Sequence, residues 1–499
     1  MLAAFLEPLP DAAQMRSIDA WATGPGGVPS LELMERAGTR LARLAAELAP
    51  DGQIAVFCGK GNNGGDGLVA ARVLREEGRS VELICAGDPA ELAEDAAANL
   101  ARLPGDPPGR DHRRVPPGAV LVIDALLGTG FDGEPRGPVA EAIAAINSAG
   151  VDVLAADVPS GVDASTGEVA GVAVRALATG TFHAAKPGLW IAPGKEHAGE
   201  VRVLDIGIPS GAPVEARIGL IHAAVLELIP GRGTGSTKWD SGFVLVAGGS
   251  PGLTGAPCLA AEAAMRAGAG YVTVCVPGSL ALVFETRLLE VMTRALPDSG
   301  GALGPDGVAT ALELGDRGGA LVLGPGLGRG GAEFARALAR RAGQPMVLDA
   351  DGLNAHAGRL ADLAVRDPPT VLTPHEGELA RLLGVERQAV GRARLRHVRA
   401  AAAQAEAVVV LKGDDTLVAA PDGSVAVSPG ASPALATAGT GDVLSGVLGA
   451  MLAKGLEPFA AACAAVTLHA RAGRRAAETH GVEGVIASDV IAALPRSRA

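Results

Sequence analysis

The sequence predicts two consecutive α/β domains with largely parallel sheets. Short β-branched runs alternate with Ala/Leu-rich amphipathic segments along most of the 499 residues, the alternation that builds βαβ units. That length suggests roughly two to four domains. The alternation also restarts after a Gly/Arg/Thr/Ser-rich stretch, PGRGTGST at 230–237.

The first series opens on a helix in DAAQMRSIDAWA, where Asp11 and Gln14 stand at capping-box spacing. Strands with their exits follow at IAVFCG (54–59), SVELICAG (80–87), AVLVIDALLG (119–128) and VDVLAADVPSG (151–161), with a helix at DGLVAARVLREEG (66–78). The series closes near EVRVLDIGIPSG (200–211). The second contributes GFVLVAGGS (242–250), YVTVCVP (271–277), ALVLGPGLG (320–328), PMVLDADGLN (345–354), TVLTPHEGE (370–378) and AVVVLKGDD (407–415), with helical stretches between. The expected division is 1–215, a linker at 216–236, and 237–499. The halves share an architecture but no visible repeat.

Composition narrows the function. A net charge of -12 supplies no positive field for nucleic acid. Five cysteines without CxxC spacing fit reduced, mostly buried thiols rather than a zinc site or disulfide framework. The opening MLAAFLEPLPDAAQ has no basic segment and too short an apolar run for a secretory leader. No apolar stretch of about eighteen residues suits a membrane span. A cytoplasmic location and no membrane partner are therefore expected. With 70 glycines, chance alone produces G-x-G-x-x-G about once, so glycine patterns such as GGSPG at 248–252 are background. No GxxxxGK[ST] occurs. Asn occurs five times and Lys six, so clusters of these residues are informative.

GKGNNGGDG (59–67) holds two of the Asn and one Lys where a strand passes into a helix, the ligand-binding edge of open α/β sheets. Two later strand exits, DALLGTGFDGEPRGP (124–138) and DVPSGVDASTG (157–167), bring Asp124, Asp157 and Ser160 to the same edge, and HAAKPG (183–188) adds Lys186. The oxygens of Asn63, Asp124 and Ser160 suit a hard cation. Asp157 and Lys186 suit proton transfer.

GKGNNGGDG, DALLGTG and DVPSGVDASTG, in this order and spacing, resemble the NAD(P)H-hydrate epimerase family over roughly residues 10–211. The resemblance implies a Rossmann-like three-layer sandwich, hydrated NADH or NADPH as substrate, and bound potassium. It implies ligand loops at Asn62, Asn63, Gly64, Gly65 and Asp66 and at Gly128, Thr129, Gly130, Phe131, Asp132, Gly133 and Glu134. Asp157 would stand at the hydrated ring, and K⁺ near Asn63, Asp124 and Ser160.

In the second half, ATAGTGDVLSG (436–446) sets Asp442 at a helix start, where unpaired N–H groups and partial positive charge favour a phosphate. With GPGLG (324–328), DADGLN (349–354), LTPHEGEL (372–379) and LKGDDTLV (411–418), it resembles the ADP/ATP-dependent NAD(P)H-hydrate dehydratase branch of the ribokinase-like superfamily, over roughly 236–499. That implies a ribokinase-like three-layer α/β/α domain with Asp442 as base. Gly439–Gly441 N–H groups and Mg²⁺ would stabilise a phosphoryl group from ADP or ATP. Substrate would lie against Ala256, Gly326, His375 and Asp442, and the nucleotide on Lys412, Gly413, Asp414, Asp415, Thr416 and Gly441. Asp414 and Asp415 would repel phosphate unless they face Mg²⁺ or solvent.

The combined expectation is a bifunctional, homo-oligomeric repair enzyme. One domain epimerises the R and S hydrates; the other phosphorylates the C6 hydroxyl of the S form and eliminates it. GTGD alone equally suits a kinase of a small alcohol or vitamin precursor. A different class for the first half is a non-catalytic dinucleotide sensor or protein-binding module, against which Asp157 and Lys186 weigh mildly.

Overall fold

The computed structural model describes residues 2–498. They form two compact units, the first Pro8–Gly219 with residue 2, the second Ala3–Glu7 with Leu220 onward.

In the first unit six strands pair in parallel in the order Val81–Cys85, Gln53–Cys58, Ala119–Ala125, Asp152–Ala156, Ala178–Phe182, Glu200–Leu204. Side chains alternate across a sheet, and here both faces are apolar. Ile54, Val56, Leu121, Ile123 and Leu154 join the core made with the helices Ala12–Thr23, Ser30–Leu48 and Asn62–Glu76. Ala55, Phe57, Val122 and Val153 join the opposite core with Ile143 and Ile146 of Gly137–Ser148. The result is the expected three-layer sandwich. Ala178–Phe182 carries no β-branched apolar signature, because ATGTF fills a fully buried position with small and Thr side chains.

The second unit is built on an eleven-stranded sheet. Its parallel centre runs Val408–Leu411, Thr370–Leu372, Met346–Leu348, Ala320–Leu323, Phe243–Ala247, Tyr271–Pro277, Met292–Leu296. An antiparallel hairpin, Leu417–Ala419 and Val425–Val427, extends it beyond Val408–Leu411, followed by Ile218–Ile221 and Leu6–Pro8 at the edge. These short edge strands, and Met292–Leu296, are absent from the sequence reading.

The segment 216–236 is not simply a linker. Ile218–Ile221 is a strand and Ala223–Leu228 a 3-10 turn, with Ile218, Ile221, Val225, Leu226 and Ile229 buried. The apolar residues there are drawn into a core, and the exposed stretch is 230–240. Among the described residues, no helix is long and apolar enough to cross a membrane.

Candidate functional sites

In the first unit a cavity of about 1030 Å³ opens at the C-terminal ends of the strands. Asn62, Asn63, Asp66, Gly128, Thr129, Gly130, Phe131, Asp157 and Lys186 line it, as the sequence leads one to expect. Asp157 follows its strand with φ 67°, a left-handed conformation rare outside glycine. The turn aims its carboxylate back into the sheet edge. Oδ1 accepts from the Lys186 ammonium at 2.5 Å and from the Phe182 N–H at 3.3 Å; Oδ2 accepts from the Thr129 N–H at 3.1 Å and from its hydroxyl. Lys186, 1% exposed, also donates to the Thr181 hydroxyl and the Phe182 carbonyl, each at 2.9 Å. Burial opposes the charge on Asp157, but the Lys186 charge and these hydrogen bonds hold its pKa below the usual carboxylate value. Asp66 goes the other way. Burial, then the charges of Asp157 and Asp19, push it well above that value, against the pull of Lys186.

Asn63 and Ser160 converge on Leu127, with Asp124 bound to Ser160 behind them. Asn63 Nδ2 donates to the Leu127 carbonyl at 2.9 Å, and the Leu127 N–H donates to Ser160 Oγ at 2.9 Å. Ser160 Oγ in turn donates to Asp124 Oδ1 at 2.6 Å. Asp124 is fully buried, which raises its pKa to about 6 against the hydrogen bonds from Ser160 and Leu126. Asn63 Oδ1 is buried with no hydrogen-bond partner. Such an orphaned acceptor fits a potassium ion.

Two groups of the expected ligand residues lie outside the cavity lining. Asp132, Gly133 and Glu134 are exposed and do not line the cavity; the charged, Gly/Pro-rich loop runs out into solvent. Gly64 and Gly65 serve packing: a Cβ on Gly64 would lie 2.0 Å from the Gly59 carbonyl oxygen, and one on Gly65 2.6 Å from Met34 Sδ. The cavity also gathers Arg16, Asp19, Met34, Lys60 and Arg136. Arg16, Asp19 and Met34 sit on ordinary helical segments with no motif around them, while Lys60 and Arg136 lie within the quoted strand-exit motifs but were not singled out there.

In the second unit the helix Thr440–Ala453 begins after Gly439, whose φ is 92°. Its first turn presents Asp442. Burial, then the nearby charge of Asp349, lifts Asp442 to about 7, Lys412 opposing and Glu378 adding to the rise. Lys412 lies within the same cluster, 22% exposed, but its hydrogen bond goes to Asp349 Oδ1 at 3.1 Å, with Glu378 Oε2 at 3.8 Å. Ser445, one turn beyond Asp442, donates to Asp349 Oδ2 at 2.6 Å. Asp349 is 2% exposed, and Ala350 after it has φ 49°. Glu378 and Ser445 were missed by sequence reading. Their signals were spacing alone, each three residues after a motif residue, His375 and Asp442.

His375 caps the helix Glu376–Leu383: its Nδ1 accepts from the Gly377 N–H at 2.9 Å, while its own N–H donates to Glu378 Oε2 at 2.8 Å. Burial first, with Lys412 and nearby arginines, lowers its pKa against Glu378. The neutral ring therefore carries its proton on Nε2. Gly326 has φ 62° and packs beside Ala256: a Cβ would lie 2.2 Å from the Leu253 carbonyl oxygen and 3.3 Å from Ala256 Cβ.

Asp415, expected at the nucleotide, is turned into the protein. It is 3% exposed and accepts from Arg394 Nε at 3.0 Å; Arg394 also donates to Glu376 Oε1 at 2.7 Å. The buried guanidinium neutralises the acid. Asp414 accepts from the Ala431 N–H through Oδ1 at 3.1 Å. Thr416 Oγ1 donates to the Gly413 carbonyl at 2.6 Å, closing the loop on itself. Of the two adjacent acids, Asp415 is thus paired with a buried cation and Asp414 faces solvent.

Residues 244–496 match the family model for NAD(P)H-hydrate dehydratase, and residues 30–188 that for the YjeF-related protein N-terminus. The chain is 40% identical to the bifunctional NAD(P)H-hydrate repair enzyme Nnr of Salinibacter ruber, over 99% of this chain and 96% of that one. Identity to the Moorella thermoacetica protein of the same name is 39%, covering 97% and 95%. A crystal structure of the Bacillus subtilis ADP/ATP-dependent NAD(P)H-hydrate dehydratase, co-crystallized with ATP/Mg²⁺, aligns with 55% of this chain and 94% of its own, at 30% identity and a TM-score of 0.47.

Proposed function

The chain belongs to the family of bifunctional NAD(P)H-hydrate repair enzymes, and from that premise we propose how its residues divide the work. The first unit interconverts the R and S hydrates. The second returns the S form to NAD(P)H at the expense of ADP or ATP. The observation that carries this reading is the pair of sites with opposed carboxylate states: Asp157 held charged by Lys186 in one, Asp442 poised at about 7 in the other.

Epimerisation requires the C6–O bond to break and re-form on the other face of the ring. C6 also bears the ring nitrogen, whose lone pair expels the oxygen as water once a proton reaches it. Water then adds to the opposite face and loses a proton to a base. Asp66, whose burial favours its protonated form, suits the donor, and the Asp157–Lys186 pair the acceptor; two acids whose environments push their pKa values apart divide such roles. Asn63, with the Asp124 and Ser160 oxygens behind it, would hold potassium, a fixed positive charge beside an anionic dinucleotide.

In the second unit Asp442 removes the C6 hydroxyl proton as the oxygen attacks the terminal phosphorus of the nucleotide. AMP leaves when ADP is the donor. The C6 phosphate then departs with loss of a C5 proton, restoring the ring double bond. His375 Nε2–H and the loops at Ala256 and Gly326 position the ring. Lys412 and the N–H groups of Gly439–Gly441 meet the phosphoryl charge, which is most of what phosphoryl transfer requires of a protein. Among the described residues no three acidic, His or Cys side chains group as a metal cage, so Mg²⁺ is assigned to the nucleotide's own phosphates.

Five buried free thiols support a reducing, cytoplasmic setting, and Leu282 and Leu289, 72% and 87% exposed on the second unit, support self-association. The test is incubation of purified protein with a mixed R/S NADH hydrate and Mg-ADP. NADH absorbance should return in full, with AMP formed in equal amount. No return with either ADP or ATP defeats the reading.

A further inference from the structure

A second cavity, about 570 Å³ and contained in the second unit, is lined chiefly by Gly328, Arg329, Arg336, Asp351, Asn354 and Arg381. Three guanidinium groups here face one carboxylate. That carboxylate is already engaged: Asp351 Oδ2 accepts from the Gly328 N–H at 2.8 Å, and Oδ1 from Asn354 Nδ2 at 3.2 Å. Two of the arginines are each anchored by one neutral hydrogen bond. Arg336 Nη1 donates to the Ala355 carbonyl at 3.2 Å, and Arg381 Nε to Asn354 Oδ1 at 2.9 Å. Their other N–H donors, and those of Arg329, have no carboxylate to meet among the described residues.

The cavity shares its loops with the dehydratase centre. Gly328 lies two residues beyond Gly326, and Asp351 two beyond Asp349, which binds Lys412 and Ser445. Arg381 rides on the helix that His375 caps. A ligand with its ring at His375 and Asp442 therefore needs only to extend along these loops to bring an anionic portion to the arginines. Several forked donors in a pocket with surplus positive charge suit a phosphate oxyanion.

We propose that this cavity is a phosphate subsite for the dinucleotide hydrate, distinct from the place where the phosphoryl donor binds. This rests on the dehydratase reading above. The subsite's role is affinity: it holds the pyrophosphate or the 2′-phosphate of the substrate, and does not touch the reacting atoms.

The test is steady-state kinetics of the full chain carrying Arg329→Gln and Arg381→Gln together, at saturating Mg-ADP, with the S hydrates of NADH and NADPH measured separately. Removing hydrogen bonds to a charged group should raise KM about tenfold or more, with kcat and the KM for ADP unchanged. The rise of KM with added salt should also flatten. A loss confined to the NADPH hydrate assigns the 2′-phosphate, and an equal loss for both assigns the pyrophosphate. Unchanged KM for both hydrates, or a raised KM for ADP alone, overturns the subsite. Arg336→Lys, which keeps the charge but loses the fork, should give an intermediate KM and guards against misfolding of the double variant. An inactive wild type would sink the dehydratase reading instead. NADPH binding, read from the fluorescence of NADPH itself as the number of sites and the affinity of each, still judges the subsite in that case, and the same sites and affinities in wild type and variant overturn it.

Discussion

Both units place a lysine among carboxylates at the C-terminal edge of a parallel sheet, and they use it in opposite ways. In the first, Lys186 is sealed from solvent and takes the reactive carboxylate itself, Asp157, at 2.5 Å. In the second, Lys412 takes Asp349 at 3.1 Å and leaves Asp442 with a smaller share of its charge. The same residue types thus yield an acid held below its ordinary pKa and one raised to about 7. Which carboxylate the lysine pairs with decides whether an aspartate stands charged or poised as a base. Both arrangements carry backbone strain at the same point, a left-handed residue at or directly after the paired aspartate: Asp157 with φ 67° and Ala350 with φ 49°.

The widest break in this comparison is Asp442→Asn. Loss of a positioned base should reduce dehydration by about 10²–10⁴, while epimerisation of the hydrates, followed by chromatography, proceeds as in wild type. Unchanged NADH recovery would remove Asp442 from its role. The same variant reports on stability. A folded pKa above the unfolded one stabilises the fold at low pH, and that contribution is lost as pH rises through about 7. Asp442→Asn should therefore melt several degrees higher than wild type near neutral pH and above, with the gain shrinking toward the ordinary aspartate pKa.

Breaking the other side, Asp157→Ala should leave a biphasic reaction on a mixed hydrate: rapid consumption of one epimer, then a slow remainder limited by uncatalysed epimerisation. A pocket that aligns one C6 hydroxyl with Asp442 misplaces the other, and about 1 Å of misplacement suffices for roughly 10²-fold. Single-phase consumption at wild-type speed would end the assigned division of labour.

Asp349→Asn sharpens the contrast. It removes the like charge beside Asp442 and frees Lys412, which should turn the second site toward the pattern of the first. The acid limb of kcat/KM for the hydrate, expected near 7 in wild type, should then move down by about one unit or more. A limb that stays in place would show that burial alone sets Asp442.

The remaining contrast concerns the orphaned Asn63 Oδ1. An ion bound only to the folded first unit raises its stability by mass action, about 2.7 kcal/mol at a hundred times the dissociation constant. Calorimetry of the full chain in K⁺ against tetramethylammonium at equal ionic strength should shift one transition and spare the other. Coincident scans would remove potassium from the site.

Much of this was legible in the sequence for local reasons. The buried strands of a parallel sheet read as apolar runs, and glycine, Asn and Asp at their exits stand out in a chain with five Asn and six Lys. Fold class, the two-unit plan, and Asn63, Asp66, Asp157, Lys186 and Asp442 followed from these patterns and the family resemblance. The strand Ala178–Phe182 and the edge strands did not, because Thr and Gly, or three or four residues, carry too little pattern. What no pattern of residues along the chain contains is the choice of partner across it. That Lys412 pairs with Asp349, 63 positions away, that Ser445 pairs with it from 96 away, and that Arg394 neutralises Asp415, depends on which strand ends the sheet order makes neighbours. Charge interactions act through space and burial, so the sequence named the titrating groups, and the tertiary structure alone decided which of them holds its proton.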